Sequence, residues 1–115
     1  AYEIKVKKLV QEAYALKDYA EKGLSASINA AKAEYDTLKP EQKTQFKKIS
    51  ITLSKAGELT RLQSYCDKEM DRIVKELRTV LKDNGQNTAL ADQVMDFYTK
   101  EKDNRYKQLM SELYG

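Results

Sequence analysis

Few side chains in this sequence are suited to chemistry. Its 115 residues include no histidine and one cysteine, Cys66. Without histidine, the commonest general base and the commonest metal ligand are missing, and no Glu-x-x-His metal motif can be written. One cysteine makes neither an internal disulfide nor a Cys-rich zinc site. Cys66 falls four residues after Leu62, on an apolar stripe, where a thiol behaves as a small hydrophobe. As a nucleophile it would lack a histidine base, and its mid-helix place offers no helix N-terminus to acidify it. The carboxylates Asp67, Glu69, Asp71 and Glu76 lie close together but alternate with Lys68, Arg72 and Lys75. That pattern is a solvated, salt-bridged helix face rather than a catalytic pair or metal site. No Gly-rich phosphate loop, nucleophile elbow or nucleotide fingerprint is present. The expectation is a protein that is not an enzyme and carries no cofactor, metal or evident small-molecule substrate.

Two residue groups remain. The eight tyrosines, Tyr2, Tyr14, Tyr19, Tyr35, Tyr65, Tyr98, Tyr106 and Tyr114, combine an apolar body with a polar tip. They suit the margin of a thin helical core, or a partner-binding surface. The lysines Lys43, Lys47, Lys48 and Lys55 form the only local concentration of charge. They read as a solvated face or a weak patch for an anionic partner, without interleaved aromatics to stack bases. The net charge of +3 is too mild for a nucleic-acid binder. It divides unevenly, +4 over residues 1–57 and −1 over residues 58–115.

The elements that must position these groups are helical. One proline and four glycines leave little turn chemistry, so a many-stranded fold is excluded. Val6, Leu9, Ala13, Leu16, Ala20, Leu24, Ile28, Ala31 and Tyr35 recur at steps of mostly three and four, which predicts one helix over about 3–35. Gly23 is the place where that helix would bend. Pro40 marks a boundary and suits the first turn of a new helix, with Asp36 or Thr37 as the capping oxygen and Glu41 at the positive helix start. The second helix is expected over about 40–83. Its first part places Phe46, Ile49, Leu53 and Ala56 on one face. Its second part places Leu59, Leu62, Cys66, Met70, Ile73, Leu77 and Val80 on another, turned well over 90° away. The helix therefore kinks, or breaks near Gly57. Asn84-Gly85 is set for a left-handed C-terminal cap, and Asn87 or Thr88 caps a last helix over about 88–113. Leu90, Val94, Phe97, Tyr98, Leu109 and Leu113 form its stripe. Glu101 and Arg105 fall on or near that stripe and make its second half less apolar. Asp71–Lys75, Glu101–Arg105 and Asp103–Lys107 have the favourable i,i+4 orientation. The fold expected over 1–115 is thus a single all-α domain. It is an elongated antiparallel bundle of three long helices, or four with a break at Gly57.

No run approaches ~18 apolar residues, so no transmembrane segment is expected. The chain opens on Ala1, as one trimmed behind a signal-peptidase site would, and an extracytoplasmic location is favoured. Leu38-Lys39-Pro40-Glu41-Gln42 resembles the Leu-Thr-x-x-Gln motif of the Spy/CpxP periplasmic chaperones, and Leu59-Thr60-Arg61-Leu62-Gln63 matches that pattern literally. The resemblance implies a small helical protein that dimerises into a cradle and shields unfolding clients without ATP. In that family Thr caps the helix and Gln reaches back to it; here Lys39 stands where the capping Thr would be. The residues themselves point to a non-enzymatic helical module that contacts a protein partner or a second copy of itself. Its surface would be Phe46, Ile49 and Leu53, with Lys43 and Lys47 beside them.

Overall fold

The stripe that opens the chain is one uninterrupted helix. A computed structural model describes residues 1–114, the side chains of Ala56, Leu113 and Tyr114 excepted. In it α1 spans Tyr2–Asp36 and buries Leu9, Ala13, Leu16, Ala20, Leu24, Ile28 and Ala31. The expected places of Ala56 and Leu113 on their stripes, and the roles of Tyr114 and Gly115, lie outside the described residues. Gly23 does not bend α1. It lets α3 come close: a β-carbon there would run into the Leu62 side chain. The helix ends ahead of Pro40, with the Thr37 hydroxyl donating to the Glu34 carbonyl at 2.7 Å.

The next helix does not start at residue 40. Pro40–Gln42 form a single 3-10 turn, and α2 spans Gln45–Ser54. Thr44 is the reason. Its extended backbone (φ −110°, ψ 162°) and its hydroxyl, which accepts from the Lys47 N–H at 3.1 Å, make it the N-cap. A residue held in that conformation cannot also sit inside a helix. The capping oxygen comes from Thr44 rather than from Asp36 or Thr37.

A break divides the expected long helix, so the described residues form four α-helices; α3 spans Ala56–Asp83. The join is Lys55, not Gly57, which lies inside the first turn of α3 with open space around it. The cause is two hydroxyls. Ser54 Oγ donates to the Ile51 carbonyl at 2.5 Å, taking the acceptor that the Lys55 N–H would use in a continuous helix. That N–H turns to Thr52 O instead, at 3.0 Å. Thr52 Oγ1 bonds back to Lys48 O in the same manner. Such back-bonding weakens and bends a helix, and the Ser54 bond alone occupies the acceptor of the amide at the break.

The turn after α3 follows the sequence closely. Gly85 takes φ +69°, Gly85 N–H donates to Lys82 O and Gln86 N–H to Leu81 O. This is the paired bonding of a Schellman cap, open to glycine because it has no β-carbon to strain. The Asn87 side chain then accepts from the Ala89 N–H at the start of α4, Ala89–Tyr114.

Helices α1 and α4 run parallel, with α3 antiparallel between them. Arg72 on α3 reaches Glu12 on α1 and Arg78 reaches Asp92 on α4. Lys32 on α1 pairs with Glu112 on α4. The main core joins Leu9 to Ala20 of α1, Cys66 to Leu81 of α3, and Ala91, Val94 and Tyr98 of α4. The bundle measures 65 × 18 × 16 Å with a radius of gyration of 18.5 Å, against about 13 Å for a compact chain of this size. Among the described residues no helix is long and apolar enough to cross a membrane.

Candidate functional site

The short helix α2 touches the bundle through Ile51, which is 5% exposed. The face opposite is open: Phe46 is 81% exposed and Leu53 59%, with Ile49 half-buried between them. Spacings of three and four residues stack these side chains on one face. Of the neighbouring lysines, Lys47 is exposed and Lys43 lies with Nζ 5.9 Å from the Tyr35 ring centre. The rest of the lysine concentration disperses. Lys55 pairs with Glu34 at 3.4 Å, and Lys48 lines a 140 Å³ cavity beside Ile28 and Ala31.

The carboxylate-rich run of α3 divides by helix face. Glu69 and Glu76 are drawn to Arg72, which also reaches Glu12 across the α1 seam. These are solvated pairs, of the kind that contribute little to stability. None of Asp71–Lys75, Glu101–Arg105 and Asp103–Lys107 forms an ion pair among the described residues. Two other helical pairs, Lys17–Glu21 and Arg72–Glu76, do form. Glu101 and Arg105 fail to meet because Arg105 is turned into the bundle.

Asp67 points the other way, into a polar cluster that the sequence reading did not assemble. Its Oδ1 accepts from the Tyr98 hydroxyl at 2.5 Å and from Gln63 Nε2 at 2.7 Å, and its Oδ2 accepts from Lys102 Nζ at 3.0 Å. Gln63 also donates to the Tyr98 oxygen at 2.9 Å. Partial burial pushes the Asp67 carboxyl up, but the bonds from Tyr98, Lys102 and Gln63 outweigh it and hold it below its ordinary value. Burial and the adjoining carboxylate push the Tyr98 phenol well above its own. Tyr98 is the buried tyrosine of the main core. Tyr14 lies against Phe97 and Tyr19 against Tyr65, and Tyr14, Tyr19 and Tyr65 are about half exposed.

Two turns beyond Tyr98 and one beyond Lys102 sits Arg105, 7% exposed. Its guanidinium carbon lies 5.8 Å from the Tyr98 ring centre. Its Nη1 and Nη2 are buried and have no hydrogen-bond partner among the described residues. The position was visible as a charge on an apolar stripe. Its isolation was not, because that depends on how α1, α3 and α4 meet. Arg105, Lys102 and Asp67 line an open groove of about 620 Å³ between α1, α3 and α4, with Leu24, Leu59, Leu62 and Leu109 as apolar wall. Cys66, fully buried nearby, belongs to the core. Burial pushes its thiol up, opposed by the Arg105 charge and aided by Asp67.

Among the described residues no group of three or more acidic or cysteine side chains could hold a metal ion. No protein family matches the chain, and neither the curated proteins nor the solved structures contain a match.

Proposed function

We propose that the protein is a helical interaction module that works through the outward face of α2. The observation that carries this reading is the exposure of Phe46 and Leu53 on the face opposite buried Ile51. A ten-residue helix needs one apolar stripe to dock it on its own bundle; α2 carries a second one. With Lys43 and Lys47 beside that stripe, the partner that fits is an amphipathic helix whose apolar residues are flanked by acidic ones, from another protein or from a second copy of this chain.

The experiment is sedimentation of the wild type and the Phe46→Ser/Leu53→Ser variant over a wide concentration range, together with binding of an amphipathic helical peptide with acidic flanks. Concentration-dependent association or peptide binding in the wild type, lost in the variant, is expected. A wild type that stays monomeric and ignores the peptide would sink the reading. Circular dichroism serves as the control, because both side chains lie outside the core.

A second reading, an ATP-independent chaperone of the Spy/CpxP kind, draws support from Gln42. Its Oε1 accepts from the Lys39 N–H at 3.1 Å, the reach-back half of the capping box in the motif it resembles. Lys39 has no acceptor to supply the other half. In the second match, Gln63 bonds to Asp67 and Tyr98 inside the bundle instead. This reading requires slower aggregation of an unfolding client without ATP.

A further inference from the structure

A guanidinium is almost never buried without an anion, because burial strips its hydration and only a paired acceptor restores what is lost. Arg105 breaks that rule. Among the described residues both Nη atoms lack an acceptor, and the guanidinium lies over the face of the Tyr98 ring, a weaker partner than a carboxylate. The acid in the same groove, Asp67, is already engaged by Tyr98, Gln63 and Lys102.

We propose that the groove is a binding site for a small amphiphile with a single carboxylate head and an apolar tail, and that Arg105 anchors the head. Three features select this chemistry. The two free Nη atoms form a planar fork that matches one carboxylate bidentately. The wall beyond them, Leu24, Leu59, Leu62 and Leu109, offers a tail nothing to hydrogen-bond and much to cover. The volume, about 620 Å³, falls within the ~300–1,000 Å³ of small-molecule sites. The charged lining is net positive, Lys68, Lys102 and Arg105 against Asp67, which favours an anionic head over a neutral or cationic one. Since the Nη atoms are withdrawn from solvent, the groove wall must part for the head group. The site is separate from the α2 face, and neither proposal depends on the other.

The test is calorimetric titration of the intact protein with decanoate, decanol, decyltrimethylammonium and decyl phosphate, each below its micelle concentration. Decanoate is expected to bind at least about tenfold more tightly than decanol or the cationic amphiphile. In the Arg105→Met variant, which keeps the length and removes the charge, the preference for decanoate over decanol should fall to about one while decanol binding persists. Equal binding of decanoate and decanol by the wild type, or an unchanged preference in the variant, would overturn the proposal. Tighter binding of decyl phosphate would overturn the carboxylate assignment. A second measurement needs no variant. In the wild-type NMR spectrum the Arg105 guanidinium resonances should shift on adding decanoate while those of surface Arg72 stay in place. Resonances of Arg105 that do not respond would likewise refute the site.

Discussion

The two ends of the bundle use the same three helices and reach different outcomes. At the end containing the α3–α4 turn, Leu9, Ala13 and Leu16 meet Met70, Ile73, Leu77 and Leu81 of α3 and Ala91 and Val94 of α4, all buried. At the α2 end the buried apolar residues are Leu24, Ile28, Ala31 and Ile51. They share their space with a buried charge, a 140 Å³ cavity and the 620 Å³ groove. The difference comes from two local causes. The second half of α4 gives its inward position to Arg105 where the first half gives Ala91, Val94 and Tyr98. The hydroxyls of Thr52 and Ser54 end α2 early, so no long helix continues the α3 stripe. One end is spent on stability; the other keeps surface and space available for ligands.

The largest effect should come from truncating the closed end. Leu77→Ala removes a fully buried side chain and is expected to lower the unfolding free energy by about 3 kcal/mol in urea titration. Ile51→Ala at the open end should lower it by about half of that or less. Its main effect should be local: α2 is too short to stand alone, and its amides should lose hydrogen-exchange protection while those of α3 keep theirs. Comparable global losses from both variants would erase the distinction between the ends.

A pH series sharpens the boundary between them. The folded-state pKa of Asp67 lies below its unfolded value, so its stabilising effect is present above about pH 4 and is lost as pH falls through the folded value. In Asp67→Asn the difference in urea midpoint between pH 7 and pH 2.5 should be smaller than in the wild type. An identical difference would show that the cluster joining α3 to α4 does not contribute. The smallest effect is expected at the break. Ser54→Ala frees the Ile51 carbonyl and adds a better helix former, for a gain of about 0.5 kcal/mol and increased protection of the Lys55 amide. Unchanged protection would mean that the Ser54 hydroxyl does not end α2.

How far each end could be read from sequence follows the same divide. The closed end is periodic, and its stripes, Leu9 to Ala20 and Cys66 to Leu77, stand in the helix pattern; only at the last turn does burial pass to Leu81 rather than Val80. The Gly85 cap was equally plain, because few residues adopt a positive φ. The open end is governed by competitions that periodicity does not register. Thr44 outdid Pro40 as a helix start, and a Ser54 hydroxyl outdid a backbone amide for one carbonyl, placing the break two residues before Gly57. The outward face of Phe46 and Leu53 was legible because it pointed away from the α3 stripe. The cluster of Gln63, Asp67, Tyr98 and Lys102 was not, because it joins residues about 35 positions apart and a single sequence gives no register between α3 and α4.

Gly23 ties the two ends together. It does not line the groove, yet the Leu62 side chain that fills the gap at its missing β-carbon is part of the groove wall. A single methyl group on the α1 backbone would press that leucine outward, and the open side is the groove itself. The capacity of the ligand site is therefore metered from behind its wall, by a hydrogen atom on a neighbouring helix.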